Sequence, residues 1–155
     1  MRPQGEKEMS IGIEIERIIP FLESSEEILA VYLYGSRIKG KSQKQSDLDI
    51  ALLLGGVEQI SEVSDKEIKY ALDIEEILKN VEVDTKILNT APIFFQYKII
   101  GEGNLIFCRN HQARIRYEVM VANEYFDFKP LLDYYNRCMY QNIKKDYRGF
   151  RYSSY

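Results

Sequence analysis

Gly35-Ser36, then ten residues, then Asp47-Leu48-Asp49 joins a turn suited to phosphate with a pair of carboxylates suited to a divalent cation. The run Leu29-Ala30-Val31-Tyr32-Leu33-Tyr34 before the glycine is apolar, aromatic and β-branched, and predicts a buried strand. At Gly35 the missing Cβ lets backbone approach an anion, Ser36 adds a hydroxyl beside backbone N–H groups, and Arg37 adds a bidentate cation. A second strand, Asp47 to Leu54, follows the polar link. Side chains alternate along a strand, so Asp47 and Asp49 share one open face, about 6.6 Å apart at Cα, while Leu48 and Ile50 point into the core. Such a pair repels itself unless a cation lies between the charges, and Mg²⁺ typically takes one or two carboxylates plus substrate phosphates.

The third acid expected of such a site is Asp84. Val81 to Leu88 predicts a strand with Glu82, Asp84 and Lys86 on one face and Val81, Val83 and Ile87 on the other. Paired beside the Asp47 strand, it would bring Asp84 into a three-carboxylate cluster. Asp47 and Asp49 would hold a metal bridging a triphosphate; Asp84, with them, would bind a second metal or accept the proton of an attacking hydroxyl. Two acids spaced by two on a strand are, taken alone, the pattern of a solvated sheet face. It is the conjunction of strand, Gly-Ser turn, polar link, Asp-x-Asp strand and later acidic strand that points to catalysis.

With Gly35-Ser36, Asp47 and Asp49 at this interval, the chain resembles the minimal nucleotidyltransferases of the DNA polymerase β superfamily, which use a nucleoside triphosphate and an acceptor hydroxyl. Leu88-Asn89-Thr90-Ala91-Pro92 and Tyr125-Phe126-Asp127-Phe128-Lys129-Pro130-Leu131-Leu132 extend the resemblance to the MNT antitoxins paired with HEPN ribonuclease toxins. The resemblance runs from about Glu14 onward. It implies an antitoxin that transfers AMP from ATP to a toxin tyrosine with two Mg²⁺ ions. It also implies Asp47, Asp49 and Asp84 as catalytic and metal-binding residues, and Gly35, Ser36, Arg37 and Ser46 as nucleotide-binding residues. A HEPN toxin would be the partner, in a hetero-oligomer.

Those residues need a scaffold, and 155 residues are enough for one domain that buries roughly two-thirds of its unfolded surface. Apolar content of 45% and charged content of 29% are those of a folded globular protein, and the net charge of −3 argues against a general nucleic-acid binder. No run approaches the ~20 apolar residues of a membrane span, and Met1 to Ser10 lacks an apolar signal core, so the reading is cytoplasmic with no membrane partner. Cys108 and Cys138 have no metal-ligand spacing and read as reduced thiols; His111, the only histidine, is given no role.

Periodicity predicts an α/β (α+β) fold: a small mixed sheet with helices mainly on one side and a long C-terminal helical tail. Residues 1–10 read as a flexible leader, 11–110 as the nucleotidyltransferase core, and 111–155 as a helical segment of the same domain that docks a partner. The first helix should run from Ile11 to Leu22 with Ile11, Ile15, Ile18, Ile19 and Leu22 inward. The link Lys39 to Ser46 carries Lys41 and Lys44 as candidate charge partners for phosphate. A helix over Glu58 to Lys79 should bury Ile68, Leu72, Ile74, Ile77 and Leu78. Thr90 should cap the next helix, with Pro92 near its first turn, ending at the Gly101–Gly103 break, and the short strand Leu105 to Phe107 should follow.

From about Gln112 one long helix is expected, bending near Pro130. Eight of the twelve tyrosines lie in this tail: Tyr117, Tyr125, Tyr134, Tyr135, Tyr140, Tyr147, Tyr152 and Tyr155. That is more than it could bury alone. Two rivals share the sequence features: a minimal nucleotidyltransferase acting on a small molecule or RNA end, and an antitoxin that works by occlusion alone.

Overall fold

The structure is a computed structural model that describes residues 4–38, 47–56 and 60–151. Lys41, Lys44, Ser46, Tyr152 and Tyr155 lie outside the described residues. In chain order the elements are α1 (Gln4–Ser24), β1 (Ile28–Tyr34), β2 (Leu48–Leu54), α2 (Ile60–Leu78), β3 (Val83–Ile87), α3 (Ile93–Glu102), β4 (Asn104–Cys108) and α4 (His111–Arg151), with a 3₁₀ turn at Leu88–Thr90.

The four strands form one mixed sheet in the order β3-β2-β1-β4. β1 pairs antiparallel with β2 and β4, and α2 crosses over so that β3 lies parallel to β2. Period-two alternation divides the sheet into two apolar faces. Val31, Leu33, Ile50 and Leu52 meet Ile18 and Leu22 of α1 and Ile74 and Leu78 of α2. Ala30, Tyr32, Ala51 and Leu53 meet Leu88, Ile99 of α3 and Tyr117 of α4. The mixed sheet and long terminal helix agree with expectation; the helices cover both faces rather than mainly one, with the larger core on the α1/α2 side.

Several boundaries differ from the sequence reading for local reasons. The first helix begins at Gln4 rather than at Ile11. In α2 the buried face is Val63, Tyr70, Ile74 and Leu78, whereas Ile68 and Leu72 are exposed. Two apolar stripes compete on that helix, and the one aligned with β3 is buried. Thr90 belongs to the 3₁₀ turn and Pro92 is the N-cap of α3. Proline restrains Ala91 to extended backbone, φ −69° and ψ 156°, which separates Thr90 from the helix. α4 runs as a single 41-residue helix through Pro130, and Asn110 caps it by accepting from the N–H of Ala113 at 2.9 Å.

Distant side chains satisfy exposed backbone at the ends and edges. Neither α1 nor α2 has a basic residue in its last turn. Instead Arg109, beside β4, donates to Leu22 O and Glu23 O, and Arg17 of α1 donates to Leu78 O at 3.0 Å and to Ile77 O, so each helix C-terminus gains a cation. Along the edge strand β3, Glu75 accepts from Val83 N–H and Glu67 from Ile87 N–H, both at 2.9 Å, while Thr85 Oγ donates to Glu67 O. Asn89 continues the ladder with its side-chain amide, bonding Leu54 N–H at 2.9 Å and Leu54 O at 3.0 Å. Both cysteines are free and partly buried. No helix among the described residues is long and apolar enough to cross a membrane.

Candidate active site

The sheet register assembles the site. Tyr34 pairs with Asp49 across β1 and β2, and Asp49 pairs with Asp84 across β2 and β3, so the three stand at one level along the strands. Their side chains share the face on which Ala51 and Leu53 are covered further along β2, and the face opens toward the start of that strand. Asp47, two residues before Asp49 and exposed, stands at that open end.

Gly35 turns the chain at the end of β1 with φ +85°, a region that side chains rarely adopt. A Cβ there would lie 1.9 Å from Asp49 Oδ2 and 2.7 Å from Asp49 Cγ. The sequence suggests that the missing Cβ serves phosphate approach; in the structure the Asp49 carboxylate takes that space. The glycine and the aspartate are therefore one device, because the turn is shaped to let Asp49 lie across it. Ser36 follows on the exposed side of the turn.

Burial raises the Asp49 carboxyl from its ordinary value, the charges of Asp84 and Asp47 push it further, and only Arg37 opposes them. Tyr34 is raised by burial first, then by Asp84, Asp49 and Glu67, so its phenol stays protonated at neutral pH beside the carboxylates. Its ring packs edge-on against Phe95 of α3, centroids 5.5 Å apart. Sequence reading missed Tyr34 as a site residue. The signal was its place immediately before the glycine, on the same strand face that register would align with Asp49.

Arg37 pairs with a residue of α1. Its Nη2 donates to Glu14 Oε1 of α1 at 2.9 Å, and both side chains are largely buried. Among the described residues, Glu14 Oε2 and Arg37 Nη1 are buried without a hydrogen-bond partner. The pair ties the turn to α1, and the guanidinium acts on Asp49 through its field.

Asp84 exposes about half its side chain and turns Oδ1 toward Lys86 Nζ at 3.9 Å. Register thus brings Asp49 beside Asp84 as expected, but among the described residues no three His, Cys, Asp or Glu side chains form a ready metal-binding group. Three like charges repel, and the surplus negative charge is itself the property that suits a hard cation with oxygen ligands. The donor set fits Mg²⁺ in chemical type.

A family model described as Polymerase beta, Nucleotidyltransferase matches residues 16–112. No curated protein matches the chain. Among solved structures, a chain of a toxin-antitoxin with AMP-PNP is 19% identical with a TM-score of 0.60, over 84% of this chain and 98% of that one. A chain of the toxin-antitoxin MntA-HepT is 16% identical with a TM-score of 0.59, over 86% and 98%. A structure of tri-AMPylated Shewanella oneidensis HEPN toxin in complex with MNT antitoxin gives 17% identity and a TM-score of 0.61, over 86% and 98%. At such identities these likenesses establish the fold.

Proposed function

The chain belongs to the Polymerase beta nucleotidyltransferase family, and from that premise we propose that it is an antitoxin that transfers AMP from ATP to a tyrosine hydroxyl of a HEPN-type toxin. The observation that carries the reading is the register that sets Asp49 between the Gly35 turn and Asp84, with Asp47 at the open end of the same face. The structural neighbours are toxin-antitoxin assemblies, one with AMP-PNP and one with an AMPylated toxin, and they supply the class of acceptor.

In this reading Gly35 and Ser36 offer backbone N–H groups and a hydroxyl to the triphosphate, as does Ser46 from the polar link. Asp47, Asp49 and Asp84 would hold Mg²⁺, which when bound neutralises phosphate charge and polarises the α-phosphoryl group. The acceptor oxygen attacks the α-phosphorus in line, forming the phosphodiester bond while pyrophosphate leaves. Asp84 takes the hydroxyl proton, since its half-exposed carboxylate is open to an incoming side chain. Neutral Tyr34, level with Asp49 in the sheet, holds the floor of the site against Phe95. Positioning and charge neutralisation supply most of such catalysis.

Label placement tests the reaction type. With ATP labelled at the α-phosphate, the toxin should become labelled in the presence of Mg²⁺; with ATP labelled at the γ-phosphate it should not. Transfer of the γ-label would make the protein a kinase and reject the proposal.

A further inference from the structure

α4 is the longest element, and its outer half leaves a run of large apolar side chains uncovered. Its inward stripe begins in the domain, where Val121 is fully buried and Tyr125 stacks on Tyr97 of α3 with centroids 3.9 Å apart. At steps of four or three residues the same stripe continues through Phe128, Leu132, Tyr135, Met139 and Ile143. Past Tyr125 only Leu132 stays partly covered: Phe128, Tyr135, Met139 and Ile143 are all exposed. Steps of three and four are those of a seam between packed helices. Where α4 leaves α3, a groove of about 610 Å³ lies between Phe94, Tyr97 and Lys98 on one side and Tyr125 and Leu132 on the other.

Two features say what covers the seam. Leu131 and Tyr134 are exposed on a second side of α4, and Phe126 and Tyr140 on a third, each about a third of a turn from the seam at ~100° per residue. A helix that exposes large apolar side chains on three sides suits enclosure by several helices, whereas pairing with one copy of itself would cover a single stripe. The outer end is also cationic: from Arg137 to Arg151 the sequence holds Arg137, Lys144, Lys145, Arg148 and Arg151 against one acid, Asp146.

We propose that the outer half of α4, with the α3/α4 groove, is the surface that docks the toxin, inserting between helices of a partner whose rim is acidic. This rests on the partner reading given above and adds the surface to it. The seam faces carry the contact, the groove receives one bulky partner side chain, and exposed Arg137 and Lys144 meet the partner's acids. Docking there leaves the carboxylate face of the sheet free to work on the acceptor.

The test uses the whole protein and a purified HEPN-type toxin partner. Tyr135→Glu/Met139→Glu puts charge on the seam, and Ile68→Glu/Leu72→Glu puts the same charge on the exposed apolar pair of α2. The seam variant should bind toxin at least 100-fold more weakly by calorimetry, with wild-type circular dichroism and wild-type ATP affinity, and the α2 variant should bind normally. Wild-type toxin affinity in the seam variant overturns the proposal. So does a wild-type dimer in light scattering that the seam variant dissolves without change in toxin binding, since a second copy would then be the occupant. If wild-type protein itself fails to bind the toxin, the partner reading is at fault, and this inference falls with it.

Discussion

Asp49 carries a charge that its surroundings resist. Burial and the charges of Asp84 and Asp47 raise its folded-state value above the ordinary one. A raised carboxyl stabilises the fold most where it is still protonated, so that contribution is present at low pH and is lost as pH rises through the folded value. Asp49→Asn should therefore be as stable as wild type, or more so, at neutral pH without Mg²⁺, and its stability should decline less between acid and neutral pH. Its transfer rate should fall by about 10²-fold or more, in keeping with the loss of a preorganised electrostatic group. Denaturant melts across pH and a transfer assay check both halves; a variant that is unstable but active at saturating Mg²⁺ would reverse the assignment. Gly35→Ala tests the neighbouring device. The far end of the Asp49 side chain can rotate away from a new methyl, so the fold should survive with a cost of roughly 1–2 kcal/mol from the left-handed backbone. The carboxylate would be displaced, and transfer should fall as in Asp49→Asn. Equal activity in Gly35→Ala would show that Asp49 need not lie across the turn.

At the scale of elements, the position of Asp84 depends on an edge strand held by α2. Glu67 accepts from Ile87 N–H through its carboxylate and from Thr85 through its backbone carbonyl. Glu67→Ala leaves a strand N–H without its acceptor and should destabilise the protein by about 1–3 kcal/mol, whereas Glu67→Gln keeps an acceptor oxygen and should cost less. Thermal melts of the two variants check the order; equal melting would mean that β3 is held by its ladder alone. These particulars mark how far the sequence could be read. The strands carrying Tyr34, Asp49 and Asp84 were legible because period-two alternation and the glycine after Tyr34 leave little choice of face. The hold of Arg109 and Arg17 on helix ends was not, since it joins residues far apart in sequence and no local pattern encodes it. The buried face of α2 was misassigned because Ile68 and Leu72 repeat at the same helical spacing as the true core, and only docking against β3 decides between them. Arg37 read as a phosphate ligand from its place beside Gly35-Ser36, while its Glu14 partner lies 23 residues earlier in the chain.

The whole molecule separates a closed core from a projecting helix. Val121 is the last residue in the buried core, so nothing beyond it contributes a fully buried side chain among the described residues. Truncation after Arg137 should leave the melting temperature and ATP affinity near wild type and should abolish toxin modification; loss of ATP affinity would place the tail in the nucleotide site instead. The surplus of tyrosine in the tail was legible from composition, and the structure exposes Tyr134, Tyr135 and Tyr140 as that surplus implied. Which face docks was not legible, because it follows from where α3 stops covering α4. The central claim, AMP transfer to the toxin, is tested most directly by intact mass. Wild-type protein, ATP and Mg²⁺ are incubated with toxin, and the toxin is weighed. The account predicts a gain of whole AMP units, absent with Asp47→Asn; a toxin that is bound and inhibited yet unchanged in mass would contradict it.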